Sequence, residues 1–356
     1  MPTITQTASS RKIPPLAWLI VLSFGIVVLG LADIAFGSVS IPGWEVARIL
    51  AGQKASNDTW NNILVNIRIP KTLTALLAGM ALSVSGLQLQ TLFRNPLAGP
   101  SVLGISAGAS LGVAAVTLVS GQSVAVSALS SGVGQGWLLV VASSVGAATV
   151  LLLILAVSLR VKDSIVLLII GIMIGNITLA VVSIWQYFSQ PEQIRDYLLW
   201  TLGSVGNVTN EQLKIFSVLS LLIVFITFLL SKNLNGLLLG ERYAQSMGIP
   251  LLITRISIIA TTSILVGLVT GFCGPIGFVG IAVPHLVRSL LQTSDHRWLI
   301  PACALAGAFI LIGCDLVSQW PGRAWVLPIN AITALIGSPV VIWVILHRRN
   351  LSSHFR

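Results

Sequence analysis

The sequence predicts an all-α, polytopic integral membrane protein of about ten transmembrane helices with both termini in the cytoplasm. Three observations carry that expectation. First, 55% of the 356 residues are hydrophobic and only 8% charged, with a mean hydropathy of +0.95. Soluble domains carry about 25% charged residues, so a chain this poor in charge cannot cover a water-facing surface and needs lipid as its solvent. Second, long charge-free intervals alternate with short segments that gather most of the Lys and Arg. Third, those cations are shared unevenly between the two sides that the intervals define.

Taken in order, Leu16–Phe36 is the first span, preceded by Arg11 and Lys12 and interrupted by Asp33 near its end. No small-residue cleavage site follows it, so it reads as a retained helix rather than a cleaved signal. Thr72–Phe93 is the second span, closed by Arg94. The interval Asn95–Leu159 has no charged residue and is too long for one crossing at about 1.5 Å per residue. It must hold two spans around the Gly/Ser-rich loop Ser120–Gly136. Further spans are expected at Ser164–Ser189, Leu213–Ser231, Arg255–Gly271, Phe278–Leu290, Leu299–Gln319 and Val326–His347. The short Phe278–Leu290 segment, following the turn Gly271–Gly277, is expected to be broken or partly buried. Outside, Pro42–Leu50 reads as an amphipathic helix with Trp44, Val46, Ile49 and Leu50 on one side and Glu45 and Arg48 on the other. Glu192–Leu202 reads as a second surface helix.

With the N-terminus inside, twelve Lys and Arg fall on the cytoplasmic side against seven outside, and Arg255 lies at the inner boundary. The net charge of +10 is therefore largely a topology signal and gives no reason to expect a nucleic-acid partner. The whole chain, residues 1–356, reads as one transmembrane domain with a short cytoplasmic tail at 1–12 and a cytoplasmic segment at 236–250.

The sequence argues against an enzyme. No GxxxxGK[ST] loop exists to cradle ATP phosphates, and no HExxH or paired carboxylates at catalytic spacing occur. No cofactor, metal or catalytic residue is expected in this chain. Cys273, Cys303 and Cys314 fit neither a disulfide framework nor a zinc site and read as small core residues. Asp315 sits deep in an apolar run with no evident cationic partner on a facing span. It is either a local helix cap or the coupling carboxylate of an ion-driven secondary transporter.

Three local patterns are more specific. In Arg94–Gly112, Asn95 and Pro96 have the chemistry of a helix start. Gly104, Gly108 and Gly112 recur every four residues there and let another backbone approach one helix face. In Asn235–Pro250, a short helix Glu241–Met247 is punctuated by Gly240 and Gly248 and presents charge mixed with Tyr243 and Met247. A short helix held outside the membrane suits docking into another protein's groove. In Cys273–Arg288, running on through Ser294–Pro301, Gly274, Pro275, Gly277, Gly280 and Pro284 imply irregular backbone at membrane depth. Such backbone is tolerated where protein or an aqueous path covers it. His285 has the chemistry of a pH switch but the position of a packing residue.

The segments NPLAGPSVLGISAGASLG, LLLGERYAQSMGIP, GPIGFVGIAVPHLVR, DHRWLIPACALAGA and LPINAITALIGSP resemble, in order, those of the permease family of bacterial ABC importers for iron–siderophore complexes, haem and vitamin B12. The resemblance runs from about Arg68 to Arg349. It implies a multi-pass permease of the bacterial inner membrane that works as a dimer, with an identical or related second permease subunit. It also implies two ATPase subunits on the cytoplasmic face, which bind ATP and Mg, and an extracytoplasmic substrate-binding protein. Leu239, Gly240, Glu241, Arg242, Tyr243, Ala244, Gln245, Ser246, Met247 and Gly248 match the family's coupling helix. Arg68 and Lys71 match basic positions that dock the binding protein, with Arg323 a third contact. Arg242 and Asn330 depart from the residues usual at their positions. A conduit lined by small and polar residues such as Ser83, Ser85, Gln88 and Asn176 would suit a bulky chelate.

Overall fold

The computed structural model describes residues 14–37, 39–53, 55–119, 134–161, 163–319 and 326–352, and every regular element among them is a helix. In chain order these are α1 (Pro15–Ala35), α2 (Gly43–Leu50), α3 (Asp58–Ile63), α4 (Ile69–Leu92), α5 (Ile105–Ala114), α6 (Gly134–Arg160), α7 (Ser164–Phe188) and α8 (Pro191–Thr201). There follow α9 (Asn210–Leu229), α10 (Ser231–Leu238), α11 (Glu241–Ser246), α12 (Leu251–Cys273), α13 (Val279–Leu291), α14 (His296–Ser318) and α15 (Ile329–Ser352). Among the described residues, seven helices are long and apolar enough to cross a membrane, and three shorter apolar ones accompany them. Each expected span falls on one of these. The expected loop Ser120–Gly136 lies outside the described residues except for positions 134–136, which open α6.

Helix α4 is the centre of the molecule. Its sequence is rich in Gly, Ala, Ser, Thr and Gln, and almost every residue from Pro70 to Leu92 is buried. Helix α1 is built from large aliphatics and turns Phe24, Val27 and Val28 outward. This sorting has a physical cause. Lipid tails are as apolar as Leu, so large side chains gain little by turning inward, while small residues let backbones approach and pack.

The closest approaches are backbone to backbone. A Cβ placed on Gly79 of α4 would stand 2.2 Å from the Gly307 carbonyl oxygen of α14, and the reverse approach is equally tight. One turn on, Ser83 Oγ donates to the Cys303 carbonyl at 2.6 Å. Gly86 meets the Gly280 carbonyl of α13 in the same way. The predicted glycine stripe also packs as expected, with Gly108 against Gly146 and Val150 of α6, Gly112 against the Ala142 carbonyl, and Gly104 against Gly171 and Gly175 of α7.

The irregular segment between α12 and α13 is covered by protein. Gly274 (φ +74°) turns beneath the α8–α9 loop, where a Cβ would come within 2.6 Å of the Trp200 carbonyl oxygen. The Ser204 N–H donates to the Cys273 carbonyl at 2.7 Å. The Gly277 N–H donates to Asn330 Oδ1 at 3.0 Å, so the unusual Asn330 satisfies a backbone donor that helix geometry leaves over. Pro284 lies buried inside α13. All three cysteines are buried and unpaired, as expected of core residues.

Two local readings need correction. Glu45 does not sit on the polar outer side of α2; it is fully buried and accepts from the Ser56 side chain and N–H, while Trp44 and Leu50 are exposed. The cause is tertiary, because α2 packs through Val46 and Ile49, with Ile41 just before it, onto Leu64 instead of laying its apolar stripe on lipid. Asn95 caps a turn and not a helix: its Oδ1 accepts from the Leu97 N–H at 2.9 Å, and helix resumes only at Pro100.

Gly79→Ala is expected to force α4 and α14 apart and cost about 1–3 kcal/mol, read as a fall in Tm in detergent. Gly43→Ala, where an added Cβ meets nothing within 4 Å, should leave Tm unchanged.

Candidate functional site

Chemistry-bearing residues gather at the two ends of the α4–α14 pair. At the end where α4 finishes and α14 begins stands the segment predicted to couple. Helices α10 and α11 meet at a tight corner, with Gly240 at φ +115° and Gly248 at φ +78° supplying backbone angles that side-chain-bearing residues resist. Ala244 and Ile249 are buried against Gly236, so corner and helix move as one piece. The outer surface of this piece presents Leu239, Tyr243 and Met247, each more than half exposed, with Arg242, Gln245 and Ser246 beside them. Glu241 pairs with Arg255 of α12 at 2.9 Å, and Arg255 also donates to the Val161 carbonyl at 3.1 Å.

Behind the corner is a knot that sequence reasoning missed. Arg94 donates to the Leu237 carbonyl at 3.1 Å. Asn235 Nδ2 donates to Asp295 Oδ1 at 2.7 Å, while Asn235 Oδ1 faces both the backbone N–H (2.8 Å) and Nδ1 (2.7 Å) of His296. On its far side, His296 Nε2 lies 2.9 Å from Thr91 Oγ1 of α4. Asp295 caps α14 through the Arg297 N–H, and this bond holds the Asp295 carboxyl below its usual range. Arg288 of α13 donates to Gln90 Oε1 at 2.8 Å. His285 is buried, with Nε2 2.7 Å from the Pro96 carbonyl oxygen, and is the packing residue its position suggested. The motif DHRWLIP marked the knot's location, but nothing in the sequence tied it to Asn235 or Thr91.

The opposite end holds a buried charged cluster. Asp315 has the cationic partner that the sequence did not reveal: Lys71 Nζ lies 2.9 Å from its Oδ2. Gln319 Nε2 bridges two carboxylates, at 2.8 Å from Asp33 and 3.1 Å from Asp315, and Thr72 donates to Asp33. Arg68 is buried and donates to the Ile34 and Ala35 carbonyls at 2.9 Å each, and to that of Val39. The first two are carbonyls that the end of α1 leaves without helical partners, and Val39 follows in the loop. The two basic residues expected to face a docking protein are thus both engaged within the chain, on the wall of a cavity of about 600 Å³. Arg323 lies outside the described residues. The paired Lys71 also makes Asp315 part of a structural cluster.

The expected conduit residues divide. Ser83, Ser85 and Gln88 are fully buried, and Gln88 is held between Thr261 and Thr262 of α12. They face the bundle interior because α4 is central, and so do not line an open path in this chain. Asn176 is exposed on α7. The spacing Gly104-Ile-Ser-Ala-Gly108 is that of a nucleophile elbow, which needs a strand-to-helix turn. Here it opens α5 from a 3-10 turn, and no strand occurs among the described residues.

Residues 25–347 match the FecCD transport family, extending the match into α1. The chain is 38% identical over 283 residues to the vitamin B12 import system permease protein BtuC of Klebsiella pneumoniae, covering 80% of this chain and 82% of that protein. It is 32% identical over 333 residues to the hemin transport system permease protein HmuU of Yersinia pestis, covering 93% and 97%. A solved metal-chelate type ABC transporter in an inward-facing conformation superposes with a TM-score of 0.79 at 28% identity, covering 93% of this chain and 99% of that one.

Lys71→Met leaves the buried Asp315 carboxylate without its cation and is expected to cost about 3–5 kcal/mol, seen as a large drop in Tm in detergent. Combining it with Asp315→Asn should recover most of the loss, because a neutral pair, Met and Asn, replaces one stranded charge.

Proposed function

The chain belongs to the FecCD transport family, and from that premise we propose that it carries an iron–siderophore complex, or a haem- or cobalamin-like chelate, across the inner membrane. It is a multi-pass ABC importer permease, a transport subunit and not itself an enzyme. In this reading a binding protein delivers the chelate to the outer mouth of two permease subunits, identical or related, and two ATPase subunits work from the cytoplasm. Closure of the ATPase pair around ATP moves the coupling helices, and the spans exchange outward- and inward-facing arrangements.

The observation that carries this reading is α11. A six-residue helix fixed by two left-handed glycines, anchored by the Glu241–Arg255 pair and presenting Leu239, Tyr243 and Met247, is built to seat in a partner's groove. The relatives' cargoes, vitamin B12 and hemin, support a bulky chelate as the substrate class. Asn176 supports a paired permease, because an amide exposed among Ile172, Met173 and Ile177 suits a protein-lined or aqueous surface better than lipid.

The test is co-purification with candidate ATPase subunits and vanadate-sensitive ATP hydrolysis in liposomes. Gly240→Pro with Met247→Asp should abolish association or reduce hydrolysis at least tenfold, since proline cannot adopt the backbone angle at Gly240. Transport that needs no ATPase, and that is abolished by an ionophore and by Asp315→Asn, would instead establish an ion-coupled carrier.

A further inference from the structure

The hydrogen-bond chemistry of the knot fixes its protons. Asp295 can only accept, so the Asn235 amide must turn Nδ2 toward it and Oδ1 toward His296. The His296 backbone N–H, which can only donate, points to the same Oδ1 and confirms that orientation. Nδ1 of His296 must therefore carry a hydrogen to meet Oδ1, which leaves Nε2 of the neutral ring as an acceptor. Thr91 Oγ1 stands 2.9 Å from Nε2 and 2.8 Å from the Leu87 carbonyl, with one proton for both. The Leu87 carbonyl already has the helical N–H of Thr91 four residues on, so the hydroxyl satisfies the buried Nε2. The result is a directed chain, Thr91 to His296 to Asn235 to Asp295, with His296 and Thr91 both buried.

We propose that this chain is the joint that delivers movement of the coupling helix to the α4–α14 pair, with Asn235, His296 and Thr91 as positioning residues. The inference rests on the ABC permease reading and names its internal transmission. Asn235 lies in α10, which packs with α11 as one piece through Gly236, Ala244 and Ile249. From α10 the chain crosses the first residue of α14 and ends in the last turn of α4. Those two helices are the most extensively packed pair among the described residues. Further along they are locked by Ser83 on Cys303 and by Gly79 on Gly307. Lys71 of α4 and Asp315 of α14 then tie their far ends beside the outer cavity. A push on α11 thus reaches the outer cavity through a continuous run of paired polar groups and direct backbone contact. The other anchor of α11, Glu241 on Arg255, leads to α12, which meets α4 in its middle, through Gln88 with Thr261 and Thr262, and not at its last turn.

Thr91→Val removes the hydroxyl without changing side-chain shape, Asn235→Leu removes the amide, and Thr91→Ser is the conservative control. Each is placed in the full complex with its ATPase, in a background carrying Asn207→Cys, an exposed position on the wall of the outer cavity. The readouts are ATP hydrolysis and the rate at which a membrane-impermeant maleimide labels that cysteine, with and without ATP and vanadate. The native cysteines are buried. The expected result is hydrolysis within about twofold of the parent in both variants, with the nucleotide-dependent change in labelling reduced at least fivefold. Thr91→Ser should behave like the parent. Labelling changes that persist unaltered in Thr91→Val and Asn235→Leu would overturn the joint. So would a parallel loss of hydrolysis and labelling change, which marks a merely structural role. If the parent complex neither assembles with the ATPase nor hydrolyses ATP, it is the permease reading that fails.

Discussion

The architecture depends on one contact, the backbone-to-backbone seating of α4 on α14 at Gly79 and Gly307. In lipid no hydrophobic force drives helices together, so association rests on close packing and on hydrogen bonds that have no water to compete with. Both occur here. The glycines bring the two backbones within reach, and that proximity lets Ser83 donate to a carbonyl of the neighbouring helix. A side chain at either glycine would separate the helices and also remove the condition for that hydrogen bond. The pair is further stiffened because α4 is wrapped on other sides by α12 and α13, which leaves little of it but Leu73 exposed.

Polar groups are distributed along this pair in a way that burial energetics dictate. A lone charge in the core costs several kcal/mol or more, and the ionised groups accordingly collect at its two ends, where partners are supplied in balanced sets. At one end two carboxylates, Asp33 and Asp315, are matched by Lys71 and Arg68, with Gln319 bridging the acids. At the other end Arg94 and Arg288 meet a carbonyl and an amide oxygen, while His296 is held by an amide and a hydroxyl. The middle is tied by neutral groups alone: Gln88 with Thr261 and Thr262, and Ser83 with Cys303.

Much of this was legible in the sequence because the bilayer simplifies the problem. Charge-free length locates spans to within a few residues, so α7 begins at the expected Ser164 and α1 begins one residue ahead of Leu16. Glycine spacing showed that α5 had a close-packed face, and glycines flanking a short charged helix located α11. What was not legible is pairing. Asp315 looked unpartnered because its partner lies on α4, far away in sequence, and no local pattern marks Lys71 as facing inward. Arg68 looked like a surface cation for the same reason, although it closes the carbonyl end of α1. The rotation of α4 was equally hidden: Ser83, Ser85 and Gln88 have the polarity of a conduit lining, but a helix buried on every side turns such residues onto its neighbours. Glu45 failed differently, since an amphipathic pattern says which side is apolar but not whether the other side meets water or Ser56.

The contrast between α11 and the pair behind it bears on how such a machine can work at all. A lever needs a sharp, fixed corner at its point of attachment and a stiff arm beyond it. The corner is provided by Gly240 and Gly248, whose left-handed backbone angles let the chain reverse sharply around a six-residue helix. The arm is provided by α4 and α14, where tight glycine contacts forbid shear without breaking a hydrogen bond. Between them any connection has to be directional, because a purely apolar contact could slip under load in either sense. Hydrogen bonds with fixed donors and acceptors meet that requirement. The Asn235–His296–Thr91 chain is such a connection, running from the corner into the last turn of α4 through the first residue of α14. Stiffness beyond the corner then follows from the same constraint that makes the helices associate, so folding and force transmission rest on one set of contacts.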